Sequence, residues 1–396
     1  MPTFVNIEDL RRAAKWNMPK AMFDFVDGGA NAEWTMRRNQ SEFERIMFDP
    51  RVLVDVSDRD QSTTVFGQTI KTPIMIAPTG LTSIAWPNSE LLAARAANRA
   101  GAGFALSTYA SNSIEEIASV GVTPRWFQLY VSRDRKKTEE LIDRAQAAGF
   151  QALALTVDTQ VPSMRERNVR NGYQAPPKIT FSNVTDVAWR IGWLKRFLTG
   201  PRPAYRNISG DAALTPAQFV ELGYQLAREI DPSVNWKDVE NFRARWKGPL
   251  VLKGVASTRD VKTALDAGVN GFIVSNHGGR QLDYAPSSIE VLPEIVDACG
   301  DKAEVYLDSG VRRGSDIVKA VALGAKACLI GRPYVYGLGA AGEAGVDHVF
   351  RILSDEIDRC LALIGIPKLS DVTRADLRMA GAQTIRERQA ASVIAR

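Results

Sequence analysis

Apolar and polar positions along the chain fall into a unit that recurs. An Ala-rich helical stretch ends at Ala-Gly or Leu-Gly, and a short uninterrupted apolar run follows. The unit reads "AARAANRAGAGFALS" (93–107), "LIDRAQAAGFQALALTVD" (141–158), "VKTALDAGVNGFIVSN" (261–276) and "IVKAVALGAKACLIG" (317–331). Glycine after the last periodic residue suits a left-handed helix end, and a continuous apolar run suits a strand buried on both faces. Filling the intervals predicts eight strands, starting near Ile74, Phe104, Trp126, Ala152, Leu250, Phe272, Glu304 and Ala327. Eight βα units predict an α/β fold of the (β/α)8 TIM-barrel type, as a single domain. A helical lead-in (1–70) precedes the barrel (71–370), an excursion (160–247) follows the fourth strand, and a polar tail (371–396) closes the chain.

Barrel chemistry gathers at the C-terminal strand ends. Here these read "APTG" (77–80), "STY" (107–109), "QLY" (128–130), "TVD" (156–158), "LKG" (252–254), "SNHGGR" (275–280), "LDSGVRRG" (307–314) and "IGRP" (330–333). Each carries small or polar residues, which together describe a lined cavity. The last two ends combine glycine-rich turns with Arg312 and Arg332, a setting for a phosphate; the alternative is that the glycines only make tight turns. Lys253, a cation closing an apolar strand, would stabilise negative charge on a bound ring system or pair with Asp158 or Asp308. His277 is one of two histidines. A carboxylate such as Asp158 beside it would fix its tautomer and suit it to general-base work, and Arg280 offers a guanidinium to a substrate carboxylate.

Composition removes several other classes. The chain has 396 residues, 45% hydrophobic and 24% charged, which is ordinary for a globular protein. No apolar run approaches the ~18 residues of a membrane span, and "MPTFVNIEDLRRAAKW" lacks a signal core, so a cytosolic chain is expected. Three scattered cysteines without a CxxC pair predict neither a disulfide scaffold nor a metal site. The net charge of +5 is concentrated in residues 160–210, where nine Lys/Arg face only Glu166 and Asp186, so no nucleic-acid partner is expected. "GLGAAG" (337–342) matches a dinucleotide fingerprint but follows the last strand instead of the first, and is set aside. His348, in an amphipathic stretch, reads as a structural or surface residue and not as a ligand.

With "APTG", "FQLYV", "TVD", "KG", "SNHGGRQLD" and "DSGVRRGSDIVKAVALGA" in place, the chain resembles the FMN-dependent α-hydroxy-acid dehydrogenases and oxidases. That family includes L-lactate and mandelate dehydrogenases and glycolate oxidase. The likeness runs from "FDFVDGGANAEWTMRRN" to "GRPYVYGLGAAGEAGV". It implies that His277 is the base, Asp158 its partner, and Tyr130 a hydrogen-bond donor to the reacting oxygen. It further implies that Arg280 and Arg165 bind the substrate carboxylate, with Tyr109 beside the substrate. Lys253 would sit at flavin N1/O2, and Pro78, Thr79, Gly80, Ser107, Gln128, Thr156 and Ser275 would line the ring and ribityl chain. Asp308, Gly310, Arg312, Gly331 and Arg332 would hold ribityl and phosphate. The implied reaction turns an (S)-2-hydroxy acid into a 2-oxo acid in a homotetramer.

Two departures from the family pattern bear on substrate and acceptor. Phe23 stands where many members have Tyr, removing one hydrogen bond to the carboxylate. Gly80 stands where many have Ala, which predicts a methyl-sized gap over the flavin. Members with glycine here resemble mandelate-type dehydrogenases, which implies a dehydrogenase that accepts bulky or aromatic substrates and passes electrons to quinone or another non-oxygen acceptor. An oxidase giving hydrogen peroxide and a flavin-binding barrel without turnover are the alternatives. In the excursion, "VAWRIGWLKRFLTG" places Trp189, Trp193 and Phe197 on one helical face flanked by Arg190, Lys195 and Arg196. Residues 183–206 would therefore either lie in a membrane interface, on the inner face of the cytoplasmic membrane, or cover the active site.

Overall fold

A computed structural model describes residues 3–173, 178, 180–210 and 214–380. Eight strands close into a barrel: β1 (Ile74–Ile76), β2 (Gly103–Ser107), β3 (Arg125–Leu129), β4 (Ala152–Thr156), β5 (Leu250–Val255), β6 (Gly271–Val274), β7 (Glu304–Asp308) and β8 (Cys328–Ile330). Every neighbouring pair is parallel, and β8 pairs with β1. Each start lies within one residue of its expected place. The glycines that end the recurring helices, 101, 149, 268 and 324, all have positive φ, as the left-handed reading requires.

The barrel is a packed core. Met75, Trp126, Val251, Ile273, Tyr306 and Leu329 fill it and are almost fully buried. A hairpin of the lead-in (Thr63–Val65 and Gln68–Ile70) plugs its lower mouth with Phe66, whose ring lies 5.6 Å from Trp126 and 5.8 Å from Tyr306. The lead-in is thus not wholly helical. Helices Ile7–Asn17, Lys20–Asp27 and Trp34–Glu44 are followed by strand Ile46–Phe48, which pairs antiparallel with Leu377–Met379. The first residues of the predicted tail are therefore built into the fold; residues 381–396 lie outside the described residues.

Within the excursion the aromatic face divides in two. Helices Phe181–Trp189 and Ile191–Thr199 meet at Arg190, whose φ of −90° and ψ of 53° break the helical repeat. Trp189 is 82% exposed, whereas Trp193 is 7% exposed, stacks on Phe197 at 4.7 Å and donates from Nε1 to the Ile84 carbonyl (2.8 Å). A single-helix register placed these side chains together because it assumed an unbroken 100° step; the kink at Arg190 separates them. His348 is structural, as expected: its Nε2 meets the Phe4 carbonyl at 2.8 Å.

Candidate active site

Seven of the strand ends, with Thr159 just beyond the fourth, line one cavity of about 370 Å3, within the range that encloses small-molecule ligands. Its floor is a chain of buried polar side chains stepping from strand to strand. Ser107 on β2 donates to Gln128 Oε1 (3.2 Å), and Gln128 Nε2 on β3 donates to Thr156 Oγ1 (2.8 Å). On β5, Lys253 donates to Ser275 Oγ (3.0 Å) after β6 and pairs with Asp308 on β7. Of the two partners considered for Lys253, Asp308 is the one it contacts. The ammonium is buried with its counter-charge on the same floor, so it is held rigidly beneath whatever the cavity binds.

Above the floor stands His277. Its Nδ1 lies 3.2 Å from Asp158 Oδ1, and its Nε2 lies 3.4 Å from the Tyr130 hydroxyl. Burial pushes the Asp158 carboxyl up, but its contact with His277 and the charge of the Lys253 ammonium outweigh it and hold the group below its ordinary range. A carboxylate can only accept, so Nδ1 carries the proton and the Nε2 lone pair faces the cavity. Burial, aided by the charge of Asp158, raises the Tyr130 phenol, which stays protonated and able to donate. The close approach of Asp158 requires glycine at 254: a Cβ there would fall 2.5 Å from Asp158 Cγ, at a φ of +105°.

Two buried guanidiniums flank the ring of Phe25, Arg165 at 5.6 Å and Arg280 at 5.2 Å. Burial lowers both, and Arg280 further through the neighbouring charges of Arg165 and Arg332. Arg165 Nε has no partner and Asp158 Oδ2 none either, two buried polar atoms left for a ligand or water. Arg280 Nη1 donates to the carbonyls of Phe25, Val26 and Gly28 at 2.8–3.2 Å. Arg332 makes similar bonds to Val26, Gly28 and Gly278, and so fastens the lead-in over the cavity.

The structure relocates two expectations. Phe23 does not line the cavity; it is buried with its ring 6.3 Å from Tyr336. Phe25 lines it instead, because residues two apart on a helix point about 200° apart and only one can face inward. Gly80 leaves no methyl-sized gap, since a Cβ there would lie 3.1 Å from Tyr109 Cβ and 3.2 Å from the Tyr109 carbonyl oxygen. Pro78, Thr79, Gly310, Arg312 and Gly331 line the cavity, while Gln128 and Thr156 belong to the hydrogen-bonded chain of the floor without lining it. Unforeseen are Tyr173 and Tyr224 from the excursion, which sit beside Arg165 in the wall. No local motif or period marks these two tyrosines; their place depends on how a long connection folds back.

The cavity fits a planar cofactor with a phosphate tail. A Cβ on Gly331 would meet nothing nearer than 3.8 Å, so this residue faces open space at the N-terminus of helix Arg332–Ala341. Free backbone N–H groups at such a terminus attract an anion, and Arg312 adds charge beside it. The buried Lys253 supplies a cation at the other end.

Residues 14–379 match the model of the FMN-dependent dehydrogenase family. Glycolate oxidase 1 of Oryza sativa subsp. indica is 42% identical over 377 residues, covering 95% of this chain and 96% of that one. An L-lactate oxidase of Nostoc sp. is 41% identical over 379 residues, covering 95% and 98%. Among solved structures, the monotopic membrane protein (S)-mandelate dehydrogenase superposes with a TM-score of 0.90 at 38% identity, covering 96% of this chain and 100% of that one. A mandelate oxidase gives 0.81 at 36% identity, covering 96% and 100%. With a barrel of the same kind and a cavity suited to the cofactor, the chain belongs to the FMN-dependent dehydrogenase family.

Proposed function

We propose that this protein oxidises an (S)-2-hydroxy acid with an aromatic or otherwise bulky side chain to the 2-oxo acid, and passes the electrons to quinone or another non-oxygen acceptor. The placement of His277 between Asp158 and Tyr130, with two buried guanidiniums alongside, carries the reading. Arg165 and Arg280 bind the substrate carboxylate, and their burial strengthens that attraction. His277 Nε2 takes a proton from the substrate, and Asp158 stabilises the imidazolium that results. Tyr130 donates to the substrate oxygen, which fixes the hydroxyl against the base. FMN, when bound, supplies the two-electron acceptor. Phe25 carries no hydroxyl, so the carboxylate depends on the arginines alone.

A bulky side chain is favoured by the wall of Phe25, Tyr109, Tyr173 and Tyr224, all lining the cavity. A membrane-side acceptor is favoured by exposed Phe181, Trp189, Ile191 and Leu198 in the basic excursion, and by similarity to a mandelate dehydrogenase described as monotopic. No helix among the described residues is long and apolar enough to cross a membrane. An oxidase is the second reading, favoured by the glycolate and lactate oxidases among its relatives.

Anaerobic mixing with mandelate, lactate and glycolate, then with oxygen or a soluble quinone, tests the proposal. The expected result is flavin bleaching fastest with mandelate, slow recovery in air and fast recovery with quinone. Absence of bleaching by any hydroxy acid would sink the reaction, glycolate preference the substrate class, and rapid recovery in air the acceptor.

A further inference from the structure

His277 has a φ of +59°, a left-handed conformation that a residue with a Cβ rarely adopts. Gly278 and Gly279 continue the turn at +68° and +70°. Something outside the turn must hold this conformation, because it is strained in an unsupported chain. The support comes from Asn276, immediately before the histidine and buried.

Asn276 Nδ2 donates to Asn39 Oδ1 (2.7 Å) and to the Pro286 carbonyl (2.9 Å). Its Oδ1 accepts from Asn39 Nδ2 (2.8 Å) and from the Gly279 backbone N–H (3.0 Å). Both donors and both acceptor sites of the amide are therefore in use, and a flipped amide would lose all four bonds. Asn39, on helix Trp34–Glu44 of the lead-in, supplies two of the four and is itself 2% exposed. Its backbone also sits on the next strand end: a Cβ on Gly310 would fall 2.0 Å from the Asn39 carbonyl oxygen. On the other side, the Gly278 N–H donates to Ser309 Oγ (2.9 Å), and Ser309 donates to Asp308 Oδ1 (2.7 Å).

We propose that Asn39 is a positioning residue for His277, acting through a reciprocal carboxamide pair with Asn276 that locks the left-handed turn and aims the imidazole at Asp158 and Tyr130. Asn39 does not itself line the cavity, and its side chain reaches the turn through Asn276. The inference rests on the base role of His277 given above. It explains why a helix from the start of the chain is packed against the sixth and seventh strand ends.

The test is Asn39→Ala in the FMN-loaded full chain, with Asn39→Asp as a second variant that keeps the acceptor for Asn276 Nδ2 but sets an acceptor oxygen against Asn276 Oδ1. Expected for N39A is a kcat at least tenfold lower with KM within threefold of wild type and unchanged flavin content; N39D loses at least as much. Because the chain has only two histidines, 13Cε1-labelled histidine gives two NMR signals, assigned with His348→Gln. The His277 signal is expected to shift or broaden in both variants while the His348 signal stays put. A lowered Tm with wild-type kcat and an unmoved His277 signal would overturn the proposal, in either variant. If wild type itself fails to reduce its flavin with any hydroxy acid, the functional reading fails instead, and the NMR signal still decides whether Asn39 positions the imidazole.

Discussion

Tyr109 stands where a methyl group on residue 80 would have to go. The Tyr109 ring also stacks on Tyr130 at 4.9 Å, and its hydroxyl donates to the Leu226 carbonyl in the excursion (3.0 Å). An alanine at 80 would therefore push Tyr109 and, through it, both the excursion and the phenol beside His277. Gly80→Ala is expected to lower kcat/KM for mandelate more than for lactate, and to cost about 1–3 kcal/mol of stability by overpacking. In a Tyr109→Ala background the same change should cost less, a coupling of about 0.5–3 kcal/mol measurable by a double-mutant cycle. Additive effects would show that the two sites do not compete for space.

The two arginines separate by what else they hold. Arg165 has an unpartnered Nε, whereas Arg280 caps three backbone carbonyls of the lead-in. Each substitution to Met should cost about 2 kcal/mol of carboxylate binding, roughly thirtyfold in kcat/KM. Only Arg280→Met should also lower Tm, because it leaves the Phe25 carbonyl without its donor and the Val26 and Gly28 carbonyls with Arg332 alone. Equal losses of Tm would mean that Arg165 has a structural load as well.

Strand starts and the residues at strand ends were legible in the chain because both follow short-range rules: a glycine stop, an apolar run, a polar end. His277, Asp158, Tyr130, Lys253 and Arg280 meet in one cavity on that basis alone. What was illegible depends on side-chain direction across long connections. Phe23 and Phe25 sit in one quoted motif, and only the seating of their helix decides which faces the cavity. Trp189 and Trp193 share a helical spacing that the break at Arg190 cancels. The fourfold bonding of Asn276 joins positions 237 residues apart, beyond any local pattern.

Glu90 is fully buried and serves no step of the chemistry. Its Oε1 accepts from Thr82 Oγ1 (2.7 Å) and the Ser111 N–H (3.1 Å), and its Oε2 accepts from Ser89 Oγ (3.1 Å). Burial raises this carboxyl despite those bonds. A folded-state value above the unfolded one, about 4.3, means that ionisation costs stability as pH rises through and beyond that range. Glu90→Gln keeps the acceptor, and its amide can donate to Ser89 Oγ if that hydroxyl turns toward Thr82, 2.7 Å away. The variant should thus melt higher than wild type at pH 7, with the gain shrinking towards pH 4. A loss of Tm that is the same at both pH values would rule this out.

The break at Arg190 turns the membrane proposal into two opposed expectations. Trp189, with Phe181, Ile191 and Leu198, is exposed on the outer side of the excursion. Arg190 lies 5.4 Å from the ring of Trp16, itself 75% exposed on the first helix, so a cation and an indole stand beside the same patch. Aromatic and aliphatic side chains at headgroup depth with basic neighbours favour an anionic lipid surface. Trp189→Ser with Ile191→Ser should weaken sedimentation with vesicles containing phosphatidylglycerol severalfold and leave Tm within a degree or two. Trp193→Ala removes a buried indole and its bond to Ile84, so it should cost about 3–5 kcal/mol of stability. Its vesicle binding, measured below its melting temperature, should stay near that of wild type. If instead Trp193→Ala abolishes binding while the Trp189/Ile191 pair does not, the exposed side of the excursion is not the face that meets lipid.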